Sequence, residues 1–404
     1  MSSSCSSLPA DKPSLARRLT TFDAVVVGLG SMIGAGVFAA VGPAAAVAGS
    51  WLLVGLVLAG VVAFANATSS AELAAVYPES GGTYVYARER LGRYWGLIAG
   101  WGFVIGKTAG LAAIALTFGT YAYAPMARPL GIAAVIAMTA VNYRGVEKTA
   151  RLATVIVGVV LVALACTVAG SLGGGQATLT HLTVEAPSGA FGVMRSAGLL
   201  FFAFAGYARI ATLGEEVRDP ERTIPRAIPA ALVIALVVYV VVMGSALVAV
   251  GPKTLARASA PLSAAVEAGR WSAVAPAVRI GAAIAALGVL LSLAAGVSRT
   301  AFSMARRREL PAFLGAVHQR HRTPYRAEIA VGTIVCVVVL FADLRDAIGF
   351  SSFAVLIYYA LANASALTLP KSELRWPRSL AALGLVGCVV LAVTLLATTT
   401  SGRS

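Results

Sequence analysis

The sequence predicts an all-α, polytopic membrane protein, and three observations carry that expectation. Of the 404 residues, 58% are hydrophobic and only 12% are charged, whereas a soluble domain carries about 25% charged residues to cover its surface. Apolar runs repeatedly approach or exceed the roughly 20 residues that a helix needs to cross a bilayer. The polar stretches between those runs are brief, so no separate soluble domain is expected.

Taken in order, the opening residues 1–21 are polar, with Lys12, Arg17 and Arg18 and no apolar core. They read as a cytoplasmic tail and not as a cleaved signal peptide. Eleven spans follow, at about 22–46, 50–75, 94–124, 129–143, 151–172, 190–214, 226–250, 274–300, 327–342, 347–369 and 377–398. The five spans of 22–172 form one expected transmembrane repeat, the five of 190–369 a second, and 377–398 an extra C-terminal span. If the N-terminus is cytoplasmic, the inner segments hold 21 of the 32 Lys and Arg residues and the outer segments 6. Basic residues collect on the cytoplasmic side of membrane proteins, so this asymmetry predicts N-in, in a plasma membrane. It also accounts for the net charge of +15 without any nucleic-acid partner.

Other chemistries find little support. Cys5, Cys166, Cys336 and Cys388 are scattered, and His181, His318 and His321 all lie in loops. The cysteines lack metal-ligand spacing and the loop histidines offer no site at depth, so no metal, no cofactor and no enzymatic reaction is expected. The Gly28-Leu29-Gly30 run has the first two glycines of a dinucleotide fingerprint but lacks the βαβ unit which that motif requires.

The first span contains Gly28, Gly30, Gly34 and Gly36 within nine residues. Each Gly costs roughly 0.5–1 kcal/mol against Ala in a helix, and the cluster predicts that the helix breaks near Ile33 to Gly36. The sixth span holds a second flexible point at Gly206, in Phe201-Phe202-Ala203-Phe204-Ala205-Gly206-Tyr207-Ala208-Arg209. Interrupted helices at corresponding places in two halves point to an inverted-repeat transporter; close packing of small residues is the competing explanation.

These blocks resemble the amino acid permeases of the amino acid–polyamine–organocation superfamily, most closely bacterial relatives of the cationic amino acid transporters. The match runs from Gly30-Ser31-Met32-Ile33-Gly34-Ala35-Gly36-Val37-Phe38 through Ser70-Ala71-Glu72 and Tyr77-Pro78-Glu79-Ser80-Gly81-Gly82-Thr83-Tyr84. It continues in Phe201 to Tyr207 with Glu215-Glu216-Val217-Arg218-Asp219-Pro220, and more weakly in Ser298 to Arg306. The resemblance implies two inverted five-helix repeats (a LeuT-like 5+5 arrangement) and secondary active transport of an amino acid by alternating access. Proton symport and exchange both remain open, so a proton or a counter-substrate is the expected second partner.

In such a site the substrate's carboxylate would face the N–H groups and positive dipole end of the outer half-helix, beside Gly34, Ala35 and Gly36. Carbonyls freed near Ser31 to Ile33, and from Phe202 to Ala205, would accept from its ammonium. Phe202, Phe204 and Tyr207 are candidate walls or gates next to Gly206. Lys107 sits mid-span on one face with Gly100, Phe103 and Gly110. A cation at that depth costs roughly 2.5–3.5 kcal/mol even on lenient scales, which marks it as a functional candidate, either a coupling group or a partner for carbonyls or Glu72. Some proton-coupled relatives carry a lysine in the fifth span, where this chain has Val160. Relatives often place an acid where Ala208 stands, which argues against cationic substrates and for small neutral or anionic amino acids. Arg209, Glu72 and Glu215 complete the coupling and gating candidates. A non-transporting amino acid sensor on the same fold, or a channel, are the alternative functions.

Overall fold

The computed structural model describes residues 20–77, 81–145, 150–182, 189–207, 210 and 217–401. They form α-helices joined by turns and short 3-10 segments, with no β-strand among the described residues. The helices are α1 (Thr21–Met32), α2 (Ala35–Ala48), α3 (Leu52–Val76), α4 (Thr83–Leu91), α5 (Arg93–Tyr123), α6 (Ala127–Tyr143) and α7 (Ala150–Gly173). Then come α8 (Gly189–Phe204), α9 (Pro220–Arg257), α10 (Pro261–Glu267), α11 (Ala275–Arg306), α12 (Tyr325–Phe341), α13 (Leu344–Leu367) and α14 (Arg378–Ser401). Seven helical stretches among the described residues are long and apolar enough to cross a membrane, which makes this an all-helical, polytopic membrane protein. Two of those stretches, 35–76 and 93–143, each contain two of the α-helices.

Local sequence explains where the helices start and stop. Thr20 caps α1 by a reciprocal pair of bonds: its hydroxyl accepts from the Asp23 N–H at 3.3 Å, and the Asp23 carboxylate accepts from the Thr20 N–H at 2.8 Å. Two orphan N–H groups of the first turn are thereby satisfied. Between α4 and the bundle, the Glu309 carboxylate accepts from the Tyr84 hydroxyl at 2.5 Å and from Arg88. Burial, reinforced by the Glu309 bond, pushes the Tyr84 phenol above its ordinary range.

Packing divides the interior into two main bodies. The larger is built on α1, α2, α3, α8 and α9, through residues such as Phe38, Leu56, Phe204 and Tyr239. The smaller joins α5, α6, α11 and α12, through Leu111, Val135, Leu290 and Val335. Phe103 of α5 and Phe202 of α8 pack against both bodies. The division does not follow whole helices: Ala113 and Tyr121 of α5 lie in the larger body, and Ala35 of α2 in the smaller.

Polar anchors tie α3 to α13 and to the turn before the last helix. Asn363 of α13 donates to Asn66 of α3 at 2.6 Å and accepts from Ser69 at 2.8 Å. The Glu72 carboxylate accepts the backbone N–H groups of Arg375 (3.0 Å) and Trp376 (2.8 Å), in the turn that leads into α14. Removing that buried acceptor orphans two donors, each worth about 1–3 kcal/mol. Glu72→Ala should lower the thermal midpoint of the detergent-solubilised protein by several degrees, while Glu72→Gln, which keeps one acceptor oxygen, should lower it less. Fluorescence-detected size-exclusion melting measures both.

Candidate functional site

The break in the first span is short and sharply placed. α1 ends at Met32 and α2 begins at Ala35, so Ile33 and Gly34 alone are out of the helix, and the outer half-helix starts one residue before the expected Gly36. Ile33 still closes α1, donating its N–H to the Leu29 carbonyl at 2.7 Å. Gly34, with φ −89° and ψ −134°, turns the chain so that α2 restarts without a side-chain cap. The first N–H groups of α2 thus have no intrahelical partner, as at any helix start. Ile33 is 2% exposed, Ala35 fully buried, and the Ser31 hydroxyl bonds back to the Val27 carbonyl at 3.0 Å.

The second break faces the first. α8 ends at Phe204, and Ala205, Gly206 and Tyr207 form a turn in which the Tyr207 N–H reaches the Phe204 carbonyl at 3.2 Å. Two glycines let the breaks touch. A Cβ on Gly36 would stand 2.6 Å from the Ala203 Cα, and one on Gly206 would stand 2.1 Å from the Ser31 carbonyl oxygen. In each case the obstacle is backbone, so no side chain can move aside to admit it. Glycine is needed at both positions for this close approach.

Side chains complete the backbone that the breaks release. The Tyr239 hydroxyl of α9 lies 2.6 Å from the Met32 carbonyl and 3.0 Å from the Ala203 carbonyl, sharing its proton between the two broken helices. The Ala205 carbonyl accepts from Lys107 Nζ at 3.0 Å and from the Tyr359 hydroxyl of α13 at 3.2 Å. A carbonyl has two lone pairs, and both are used. Several of the carbonyls expected to wait for a substrate ammonium therefore already have donors.

The remaining expected residues surround this junction. Phe204 packs edge-on against Tyr239 with ring centroids 5.2 Å apart, and Tyr207 stacks on Tyr359 at 5.1 Å. Phe202 sits between the two packed bodies. A narrow crevice beside the break is lined by Gly30, Ile33, Gly34, Ile156, Val157, Val160 and Ala285, all apolar or glycine. Val160 thus lies next to the break, with a side chain that can carry no charge. Lys107 is 7% exposed and bonds to a carbonyl and not to Glu72, which is held instead by the turn before α14. Arg209 and Glu215 fall outside the described residues.

Tyr239 and Tyr359 were not candidates from the sequence. The signal existed in Val237-Val238-Tyr239-Val240-Val241: a phenol in an aliphatic run must find a partner for its hydroxyl once buried. What the sequence does not say is that the partner is a broken helix 207 positions away in the chain.

A buried meeting of the broken first span with the unwound end of α8, inside a bundle of apolar helices of membrane-crossing length, defines a multi-pass membrane protein. Comparison with known proteins narrows the class. The model of the amino acid permease family matches residues 19–403, and the chain belongs to that family. It is 57% identical to an uncharacterized transporter of Mycobacterium tuberculosis, over 96% of this chain and 88% of that one. It is also 26% identical to a branched-chain amino acid permease of Bacillus subtilis, over 91% and 83% of the two chains. The chloroplastic cationic amino acid transporter 7 of Arabidopsis thaliana is 28% identical over 86% and 65%.

Replacing Tyr239 by Phe removes one hydroxyl and leaves two buried carbonyls short of a donor. The expected cost is about 1–3 kcal/mol, read as a lower thermal midpoint at unchanged expression. An equal midpoint for Tyr239→Phe and wild type would show that the hydroxyl does not hold the junction.

Proposed function

We propose that the protein is a secondary active amino acid carrier of the plasma membrane, N-terminus inside, working by alternating access. The observation that supports this best is the junction itself. The first N–H groups of α2 lack intrahelical partners, Gly36 beside them lies against Ala203 in the last turn of α8, and the unwound turn after α8 meets the end of α1 at Ser31. Irregular backbone is tolerated at membrane depth only where protein buries it or where it lines a cavity, and here it is buried.

In this reading the substrate's carboxylate binds the N–H groups at the start of α2, with Gly34, Ala35 and Gly36 allowing close backbone approach. Backbone donors recognise only the part every amino acid shares. Phe202, on the line between the two packed bodies, forms a side wall, and Tyr207 and Phe204 help to hold the turn. Alternating access would expose the site to one side of the membrane and then to the other. The two halves, 22–172 and 190–369, would be the inverted repeats, with 377–398 added. The apolar crevice around Val160 supports a coupling step that does not use a fifth-span lysine, and Lys107 is then the buried cation available for a proton-linked or exchange cycle. Family membership and the permease names of the relatives support the amino acid as cargo.

Reconstituted protein should accumulate at least one labelled amino acid in proteoliposomes with saturable kinetics. A Leu side chain at Gly36 cannot be placed against the Ala203 backbone, so Gly36→Leu should abolish uptake while the variant still inserts into the membrane. Normal uptake by Gly36→Leu would remove the junction from the transport path, and binding without uptake by the wild type would identify a sensor.

A further inference from the structure

α13 carries two adjacent tyrosines, and each serves a backbone group left over by another helix. Tyr359 donates its hydroxyl to the Ala205 carbonyl at 3.2 Å, in the unwound turn after α8. Tyr358 accepts the Thr83 N–H at 3.0 Å, at the first residue of α4. A helix leaves its first N–H groups without internal acceptors, and the N-cap of α4 is Gly82, which has no side chain to supply one. The acceptor comes instead from a phenol 275 positions away in the chain. Gly82, at φ +55°, leaves room for it: a Cβ there would stand 2.8 Å from the Tyr358 hydroxyl oxygen.

Both rings are enclosed. Tyr358 is 5% exposed and Tyr359 is fully buried, and the two rings lie edge to face with centroids 5.1 Å apart. Tyr359 is stacked on Tyr207 of the turn at 5.1 Å and lies edge-on to Phe201 of α8 at 5.7 Å. Tyr358 packs on Phe103 of α5 at 5.2 Å. Close-packed interiors transmit displacement with little compression, and consecutive residues of a helix point about 100° apart. One helical step thus turns a contact with the junction into a contact with α4. On its other side α4 is fastened by Glu309, the acceptor for Tyr84 and Arg88 just beyond the end of α11.

We propose that Tyr358 is a positioning residue for transport: with Tyr359 it links the unwound turn to the start of α4, so that the junction and α4 change together. This role rests on the transport reading above and adds to it a connection between the site and the cytoplasmic face, where α4 lies in the orientation given there. Tyr358 acts without touching the substrate. Coupling of this kind is reciprocal, so loss of either hydroxyl loosens both ends.

The test is amide hydrogen exchange of wild type, Tyr358→Phe, Tyr359→Phe and Tyr239→Phe in detergent, read by mass spectrometry in peptides covering 83–91 and 199–207. Tyr359→Phe should speed exchange in 83–91, and Tyr358→Phe that in 199–207, each by about threefold or more, as loss of one hydrogen bond of ordinary net strength gives. Tyr239→Phe removes a hydroxyl from the same junction but belongs to α9, and it should leave 83–91 as in wild type. Should Tyr359→Phe fail to fold, Tyr358→Phe and the 199–207 peptides still decide. Proteoliposome uptake of labelled L-leucine, L-alanine, L-glutamate and L-arginine reads the consequence. For each that the wild type accumulates, Tyr358→Phe should lower the maximal rate about threefold or more and leave the Michaelis constant within about twofold. Unchanged exchange at the far end in either variant, or equal acceleration of 83–91 by Tyr239→Phe, overturns the link. An unchanged maximal rate in Tyr358→Phe overturns its part in transport. Uptake of none of the four, nor of any other common amino acid, overturns the transport reading itself, and the exchange result still decides the link.

Discussion

In hydrocarbon, every backbone N–H and C=O must find a partner within the protein, and a helix that stops halfway across the membrane breaks that rule by several groups at once. The centre of this molecule is organised around that constraint. Two helices stop, at Met32 and at Phe204, and the groups they release are met by side chains from three other helices. Tyr239 serves Met32 and Ala203 together, while Lys107 and Tyr359 serve Ala205. Neither break is self-sufficient. Each depends on donors that only the assembled bundle supplies.

This dependence gives the junction a mechanical character. Gly36 and Gly206 bring the two broken chains into backbone contact, so movement at one break is felt at the other. Tyr239 ties both to α9, and its hydroxyl can favour either of its two acceptors. Lys107 belongs to α5, and its bond to Ala205 ties that helix to the turn after α8. Packed interiors shift between discrete arrangements and do not deform continuously.

Other polar groups in the bundle serve stability instead. Asn66, Ser69 and Glu72 lie on successive turns of α3, yet each is directed at the C-terminal part of the chain: the first two at Asn363 and the last at the turn before α14. A buried carboxylate held by two backbone N–H groups is a joint, whatever further role it has. Depth and charge alone do not separate such a residue from Lys107; the identity and completeness of the partners do.

Much was legible in the sequence. Hydrophobic composition and run length determined the all-helical, membrane-crossing class, because a bilayer admits few solutions for an apolar chain. The glycine cluster determined that the first span breaks and located the break to within a residue or two, since local backbone cost accumulates where Gly34 and Gly36 stand. Lys107 was conspicuous because an ionisable residue at mid-span has no cheap place to be. Tertiary structure decided everything that depends on which groups meet. It put Lys107 on the Ala205 carbonyl and Glu72 at the far end of α3, brought Tyr239 and Tyr359 into the junction, and closed Gly36 onto Ala203. Period and composition describe one helix at a time, whereas a freed carbonyl is satisfied by whichever donor the packing delivers.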